Sequence, residues 1–345
     1  MRSLLTRFIV RQNARRQVNT TRQVIRKESH AMTPHLVFGT GVLGMDGTEF
    51  QDPESVTKLL HTLKQLGINR LDTAARYPPF VPGKSEQLIG AASAFSDAFV
   101  VDTKVYTEVG DGSGDLAQAA MQKSVDGSLE RLNRPQGVNV LFAHRPDPAT
   151  PLEEQVQGFQ EQIARGHARE WGVANHPPET LQRIIDLCEQ KGWAKPRWYQ
   201  GTYDMLTRGM ESRVLPILRA HGMSFLASHA LASGFLTGTH VDDEGKPTGR
   251  FTKNASFATP EVMAAMKKFV AGCRAHSLPP VEVASRWITH HSALGENDGI
   301  VLGASKLHQV GDTVANIRKG SLPREMVALT DDVWAAVNPI RGSVI

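Results

Sequence analysis

The chain has 345 residues, of which 40% are hydrophobic and 21% are charged, and its formal net charge is +4 at pH 7. This composition is typical of a globular protein, and no apolar run approaches the roughly 18 residues that a membrane span needs. The two cysteines, Cys188 and Cys273, argue against a disulfide framework and favour a reducing compartment.

The positive charge is concentrated at the N-terminus, where residues 1–30 hold eight basic residues and one acidic residue. The rest of the chain is therefore mildly acidic, which gives no reason to expect a nucleic-acid partner. The Arg-rich, acid-poor arm has the traits of a mitochondrial transit peptide, and it equally fits a disordered basic extension. We predict a basic extension over residues 1–33 and one folded domain over residues 34–345. The predicted location is the cytoplasm or, if the arm is a targeting signal, the mitochondrial matrix.

From residue 36 onward, short β-rich runs alternate with longer helical patterns. The predicted strands are Leu36–Phe38, Asn69–Asp72, Phe99–Lys104, Val138–Ala143, Arg169–Val173, Trp198–Gln200, Ser224–Ala227 and Gly299–Leu302. The helices predicted between them cover residues 52–67, 117–132, 152–165, 178–191, 212–221 and 260–276. Strand–helix alternation predicts parallel pairing, and eight such units fit a closed barrel better than an open sheet. The predicted fold class is therefore α/β, a single-domain (β/α)8 TIM barrel.

A glycine-rich stretch after the first strand, Gly39–Gly44, matches the dinucleotide fingerprint G-x-G-x-x-G. The fingerprint binds a pyrophosphate only if its glycines open a helix. Here the next helix is predicted to begin about eight residues later, behind Asp52 and Pro53. The pattern therefore indicates a glycine-rich turn rather than a Rossmann fold.

Four polar side chains follow the ends of three predicted strands: Asp72, Tyr77, Lys104 and His144. The carboxyl ends of barrel strands share one rim, where the chemistry of such folds takes place. Together these groups can protonate the alkoxide that forms when a carbonyl accepts a hydride. Tyr77 would donate the proton, Lys104 would lower the tyrosine pKa from about 10, Asp72 would pair with Lys104, and His144 would orient the carbonyl. Taken singly, each residue also has an ordinary reading as a cap, a surface aromatic or a core histidine.

These residues lie in stretches that resemble the aldo-keto reductase family. The stretches are Leu71–Tyr77, Gly83–Glu86, Thr103–Lys104 and His144–Asp147. Residues 150–154, 198–203 and 249–251 are similar to the aflatoxin-aldehyde reductase type within that family. The resemblance implies a (β/α)8 barrel with NADPH extended over the C-terminal rim. It also implies that Tyr77 is the general acid, that Lys104 and Asp72 tune it, and that His144 orients the substrate.

The resemblance also implies residues that bind the cofactor. Asn175 and Gln200 match the amides that hold the nicotinamide carboxamide. Ser228 stands where the family has the aromatic residue that stacks on the nicotinamide, and His229 is the neighbouring ring that can replace it. The remaining implied cofactor residues are Leu231 and Gly234 in the pyrophosphate loop, Gly303, Ser305, Lys306 and Gln309 in the 2′-phosphate region, and Arg250 as a further cation.

The sequence therefore predicts an NADPH-dependent oxidoreductase that reduces aldehydes and ketones to alcohols. The resemblance implies dialdehydes, semialdehydes or natural-product carbonyl compounds as substrates, and a homodimer as one possible assembly. We expect no metal site, no nucleic-acid partner and no membrane association. Two alternatives remain open at this point: a regulatory barrel that binds NADP with little turnover, and a metal-dependent barrel hydrolase that uses some of the 13 histidines.

Overall fold

The structure is a computed structural model that describes residues 33–108, 114–240, 246, 257 and 259–344. Within these residues, eight parallel strands pair in sequential order and close into a barrel, because the last strand pairs with the first. The strands are β1 (His35–Gly39), β2 (Arg70–Asp72), β3 (Val100–Val105), β4 (Val138–Ala143), β5 (Ala168–Ala174), β6 (Trp198–Thr202), β7 (Ser224–Ser228) and β8 (Gly299–Leu302). The predicted (β/α)8 barrel is confirmed, while the extension predicted over residues 1–33 lies outside the described residues except for Thr33.

Helices surround the barrel. They are α1 (Pro53–Leu66), α2 (Lys84–Ala91), α3 (Ser93–Ser96), α4 (Gln118–Arg131), α5 (Leu152–Ala164), α6 (Pro178–Lys191), α7 (Met210–Arg213), α8 (Leu215–Ala220), α9 (Pro260–Ala275), α10 (Pro280–His290), α11 (Leu307–Ile317) and α12 (Arg324–Arg341). The single helix predicted over residues 212–221 is wrong, because the structure has the two short helices α7 and α8 there. Pro216 lies in the first turn of α8 and has no N–H to continue a helix from α7. None of the helices that the structure describes is long and apolar enough to cross a membrane.

The start of α1 explains why the glycine stretch after β1 is not a dinucleotide fingerprint. Asp52 caps α1 by accepting a hydrogen bond from the Ser55 backbone N–H at 2.8 Å, and Pro53 occupies the first turn. Gly44 has a φ of 75° and lies in a turn, nine residues before the helix begins. The glycines therefore form a turn, as predicted, and no helix N-terminus lies behind them.

The barrel interior is layered, because side chains two residues apart on a strand point the same way. Near the N-terminal ends, Arg70 donates to the Asp102 carboxylate at 2.6 Å and lies 4.1 Å from the centroid of the Trp198 ring. A cluster of buried apolar side chains also fills the interior, made of Val37, Val140, Phe142 and Leu226. Two residues beyond Arg70, Asp102 and Trp198 come Asp72, Lys104 and Gln200, so the polar C-terminal rim lies above a packed core.

One buried carboxylate fastens the last two strands. Asp298, 1% exposed, precedes β8 and accepts hydrogen bonds from the Phe225 N–H at 2.8 Å and the Gly295 N–H at 2.7 Å. It also forms a two-pronged ion pair with the Arg219 guanidinium, at 2.9 and 2.5 Å. Arg219 lies on α8 and Phe225 lies on β7. The Asp298 carboxylate therefore connects this helix and this strand to the start of β8, the strand that closes the barrel.

We expect Asp298→Ala to lower the free energy of unfolding by about 3 kcal/mol, because two backbone N–H groups and a guanidinium lose their acceptor. Asp332→Ala is the matched control. Asp332 pairs with Lys268 on the surface, where both side chains are more than half exposed, so its loss should cost less than about 1 kcal/mol. Urea unfolding of both variants measures the difference, and equal costs would show that Asp298 does not fasten the barrel.

Candidate active site

The centre of the candidate site is a buried ion pair between β2 and β3. Lys104 Nζ donates to the two Asp72 carboxylate oxygens at 2.7 and 2.8 Å, and to the Thr73 carbonyl at 2.9 Å. Gln200 Nε2 donates to Asp72 Oδ1 at 2.8 Å, and neither charged side chain is more than 3% exposed. Burial opposes the ammonium, but the charge and hydrogen bonds of the Asp72 carboxylate help to outweigh it, and the net effect raises the pKa of Lys104. Lys104 is therefore charged at neutral pH.

The loop that carries Tyr77 is fastened at both ends. The Ser85 N–H, in the first turn of α2, donates to the Tyr77 carbonyl at 3.1 Å. The Ser85 hydroxyl is buried and donates to the Thr40 carbonyl at 2.9 Å, and it lies 3.2 Å from the Thr73 hydroxyl. Next to it, the buried Glu86 accepts from the Thr103 hydroxyl at 2.6 Å. Ser85 and Glu86, from the family-like stretch Gly83–Glu86, therefore connect the tyrosine loop to β3 and to the segments that follow β1 and β2.

The Tyr77 ring contacts both Lys104 and His144. Lys104 Nζ lies 5.1 Å from the ring centroid, and the His144 ring packs edge-on at a centroid distance of 5.5 Å. Burial raises the pKa of Tyr77, the Lys104 ammonium lowers it and Asp72 raises it, with a net increase above the ordinary value of 10. Lys104 lowers this pKa, as predicted, but burial of the phenol outweighs the ammonium, so the net shift of the Tyr77 pKa is upward. The phenol stays protonated at neutral pH, which is the form that a proton donor needs.

His144 is a neutral imidazole. It is 6% exposed, and burial together with the nearby cations Lys104, Arg145 and Arg76 places its pKa well below 6.5. Its Nδ1 atom is buried and has no hydrogen-bond partner in the structure. A neutral ring packed edge-on against the Tyr77 ring can donate or accept one hydrogen bond at a substrate oxygen, which is compatible with the predicted orienting role.

The predicted carboxamide residues lie together at the ends of β5 and β6. The Asn175 N–H donates to the Gln200 carbonyl at 3.0 Å, and Asn175 Nδ2 donates to the His144 carbonyl at 3.0 Å. Asn175 has a φ of 60°, a left-handed conformation that asparagine tolerates better than most residues. Its side chain therefore joins the ends of β4, β5 and β6 on the rim beside the buried ion pair.

At the end of β7, the Ser228 hydroxyl lies 3.2 Å from His229 Nδ1, and His229 has a φ of 58°. Burial and the Lys104 charge lower the pKa of His229, so its ring is neutral. Leu231 and Gly234 lie at the adjacent 3-10 helix, Ala232–Thr237, where Gly234 has a φ of 95°. A cavity of about 210 Å³ opens beside this segment, lined by Thr202, Asp204, His229, Ala232, Ser233, Phe257, Arg341 and Val344.

The predicted 2′-phosphate residues lie between β8 and α11. Gln309 Oε1 accepts from the Ser305 and Lys306 N–H groups at 3.0 and 3.1 Å, so this side chain organises the turn. Lys306 is exposed, and open space surrounds the α-carbon of Gly303. The Glu49 carboxylate accepts from the Leu307 N–H at 2.8 Å and lowers the local positive potential. Arg250, the further predicted cation, lies outside the described residues.

Sequence reasoning assigned no role to Arg145 or Asp147, which follow His144 directly. Asp147 accepts hydrogen bonds from the Leu116 and Ala149 N–H groups at 3.0 Å and from the Thr150 hydroxyl at 2.7 Å, so it shapes the loop after β4. Arg145 is half-buried, and its charge acts on both Tyr77 and His144. The signals that the sequence offered were their position next to the histidine and their place in the family-like stretch His144–Asp147.

The comparisons with known proteins agree with this geometry. A model of the aldo/keto reductase family matches residues 35–335. The chain belongs to the aldo/keto reductase family. The aflatoxin B1 aldehyde reductase member 2 of Rattus norvegicus is 30% identical over 323 residues, which cover 89% of this chain and 86% of that protein. The predicted family and its resemblance to the aflatoxin-aldehyde reductase type are confirmed.

Solved structures of other aldo/keto reductases share the barrel. The glycerol dehydrogenase AKR11B4 of Gluconobacter oxydans aligns with a TM-score of 0.70 at 26% identity, over 89% of this chain and 96% of that chain. An aldo/keto reductase from Klebsiella pneumoniae, in complex with NADP and acetate, aligns with a TM-score of 0.64 at 22% identity, over 87% and 91%. The second match shows the fold alone.

Membership of this family makes the chain an NADP-dependent oxidoreductase that reduces carbonyl compounds, as predicted. The comparisons give no support to the regulatory alternative. Across the described parts of the chain, no three histidine, cysteine, aspartate or glutamate side chains are grouped so that they could hold a metal ion.

We expect Lys104→Met to lower the free energy of unfolding by about 3–5 kcal/mol, because it leaves the Asp72 carboxylate buried without a counter-charge. The double variant Asp72→Asn, Lys104→Met removes that charge and should recover at least half of the loss. Urea unfolding of Asp72→Asn, Lys104→Met and the double variant measures the coupling free energy between Asp72 and Lys104. Additive losses would contradict a tight buried pair.

Because His176 is buried just after β5, we expect the free energy of unfolding to depend on pH. Burial lowers the pKa of His176 to about 4, although its Nδ1 contact with the Ala174 carbonyl at 2.8 Å opposes the shift. Between pH 6.5 and 4 the unfolded chain binds this proton and the folded chain does not. Stability should therefore fall with decreasing pH by up to about 1.4 kcal/mol per unit from this group.

The His176→Asn variant, which does not titrate, should show a shallower slope of unfolding free energy against pH in this window. In this variant the free energy of unfolding still depends on pH, because the pKa values of His144 and His229 are lowered as well. Unfolding curves at half-unit pH steps measure it, and an unchanged slope would mean that His176 is protonated in the fold.

Proposed function

We propose that the enzyme reduces aldehydes and ketones with Tyr77 as the proton donor. The observation that carries the proposal is the position of the Tyr77 ring, 5.1 Å from Lys104 Nζ and 5.5 Å from the His144 ring on the barrel rim. The NADPH cofactor supplies a hydride when it is bound. An alkoxide is a far stronger base than a phenolate, so a protonated Tyr77 donates to it readily even with a raised pKa.

The residues around Tyr77 orient the carbonyl group and stabilise the phenolate that proton transfer leaves behind. His144 is neutral, and its Nδ1 atom has no hydrogen-bond partner among the described residues. It orients the carbonyl oxygen by a hydrogen bond, while Tyr77 donates the proton. Lys104 stabilises the phenolate that is left after proton transfer, because its charge favours the ionised form. Asp72 holds Lys104 in place through two hydrogen bonds and so acts on the tyrosine only indirectly.

The residues at the other strand ends fit the cofactor. The side-chain oxygens of Asn175 and Gln200 are hydrogen-bond acceptors beside the ion pair, which suits the amide of a carboxamide. The neutral ring of His229 offers a flat surface in place of the missing aromatic at Ser228. Lys306 and the Ser305 hydroxyl provide donors for a 2′-phosphate, and the open space at Gly303 leaves room for the nucleotide.

We further propose that the substrates resemble those named for the relatives, reactive aldehydes above all, since one relative carries the name aflatoxin B1 aldehyde reductase.

The location of the protein in the cell and its assembly as a homodimer are also part of the proposal. The sequence supports a reducing compartment, either the cytoplasm or, with residues 1–33 as a targeting signal, the mitochondrial matrix. A fluorescent fusion with and without residues 1–33 tests the location, and sedimentation velocity tests the proposed homodimer.

We expect Tyr77→Phe to reduce turnover by about 10²- to 10⁴-fold, because it removes the general acid. NADPH oxidation at 340 nm with 4-nitrobenzaldehyde measures the rate, and fluorescence titration checks that NADPH still binds. Tyr106→Phe is the matched control. Tyr106 follows β3 on the same rim, but its hydroxyl donates to Glu108 at 2.7 Å, so its loss should leave turnover within about twofold.

Turnover that survives Tyr77→Phe would refute the assigned acid. NADPH binding without turnover of any aldehyde by the wild-type protein would refute the proposed reduction itself.

A further inference from the structure

The turn between β8 and α11, proposed for the 2′-phosphate of the cofactor, already contains hydrogen-bond acceptors of the protein itself. At the start of an α-helix the backbone N–H groups are natural ligands of a phosphate. Here the Ser305 and Lys306 N–H groups donate to Gln309 Oε1 at 3.0 and 3.1 Å. The Leu307 N–H donates to the Glu49 carboxylate at 2.8 Å. Three amides that could bind a phosphate are therefore satisfied by side chains, and one of these side chains is negatively charged.

Glu49 belongs to the loop between β1 and α1, and the backbone of this loop is fastened to the turn. The Glu49 N–H donates to the Ser305 carbonyl at 2.9 Å, so hydrogen bonds join the two segments in both directions. The loop itself is closed by the Gly44 N–H, which donates to the Phe50 carbonyl at 2.7 Å. These backbone contacts keep the charge of Glu49 at the N-terminal end of α11.

The charge of Glu49 acts differently on the two nicotinamide cofactors. NADPH carries an anionic 2′-phosphate at its adenosine end, and a carboxylate repels it. NADH carries a 2′-hydroxyl there, which is neutral and can donate a hydrogen bond to a carboxylate. Lys306, which is exposed at the same turn, attracts the phosphate. The turn therefore presents one charge of each sign, and the two have opposite effects on a 2′-phosphate.

We propose that Glu49 is a specificity-determining residue that weakens the binding of the 2′-phosphate and so narrows the preference of the enzyme for NADPH over NADH. The inference rests on the proposed function, because that function places the 2′-phosphate at the turn between β8 and α11. Glu49 acts at the adenosine end of the cofactor, while proton transfer stays with Tyr77.

Isothermal titration calorimetry of the full chain with NADPH and with NADH measures this preference as the ratio of the two dissociation constants. Glu49→Gln keeps an acceptor for the Leu307 N–H but loses the charge. In this variant NADPH should bind about three- to tenfold more tightly, while the dissociation constant of NADH should change less than about twofold. The gain for NADPH should shrink at high salt, because salt screens the repulsion between exposed charges.

Glu54→Gln is the matched control, because it removes the same charge from a nearby exposed glutamate. Glu54 lies in the first turn of α1 and pairs with Lys58 on the surface. Its replacement should leave the ratio of the two dissociation constants unchanged.

Two smaller nucleotides isolate the contribution of the 2′-phosphate. Adenosine 2′,5′-bisphosphate carries this group and AMP does not, and neither contains a nicotinamide. Glu49→Gln should tighten the binding of the bisphosphate about three- to tenfold and leave that of AMP within about twofold.

An unchanged ratio in Glu49→Gln, or an equal gain for the nucleotides with and without the 2′-phosphate, would overturn the inference and leave the proposed reductase intact. If the wild-type protein binds NADPH but reduces no aldehyde, the proposed function fails, and the ratio in Glu49→Gln still decides the inference. A wild-type protein that binds neither NADPH nor NADH would overturn both.

Discussion

The buried pair of Lys104 and Asp72 is the interaction on which the rest of the site depends. An ammonium and a carboxylate this deep are stable only together, and their mutual hydrogen bonds fix β2 against β3. Gln200 reaches the same carboxylate from β6, so three strand ends converge on one group. Every other polar residue of the rim is placed relative to this pair, because it is the part of the rim that cannot move without exposing a bare charge.

The electrostatic state of the site follows from that pairing. Asp72 cancels much of the field of Lys104, which is why the ammonium does not overcome burial at Tyr77 and the phenol keeps its proton. Burial, helped by the residual positive potential, lowers the pKa of His144 and keeps its ring neutral. A protonated phenol beside a neutral imidazole is thus an arrangement that can bind an electron-rich oxygen and deliver a proton to it.

The rim also shows where the chain departs from ordinary backbone geometry. Asn175 and His229 both have positive φ angles at strand ends, and the 3-10 helix after β7 contains two more such non-glycine residues, Ala232 and Ser233. Such conformations cost about 1 kcal/mol or more each and persist where the surroundings enforce them. Their clustering on the C-terminal rim, above the layered apolar interior, is consistent with a stable barrel whose strained positions are kept for binding.

The barrel was predictable from the amino-acid pattern, because strand and helix periodicity are local properties. The same pattern identified Asp72, Tyr77, Lys104 and His144, because each lies at or just past the C-terminal end of a strand. The direction of the Tyr77 pKa shift could not be predicted, since the burial of the phenol and its distances to Lys104 and Asp72 arise from segments that are far apart in the chain. The break between α7 and α8 was missed because helix periodicity outweighed the local signal of a single proline. The pairing of Arg76 with Glu108 was likewise invisible in the sequence, because the two residues lie 32 positions apart.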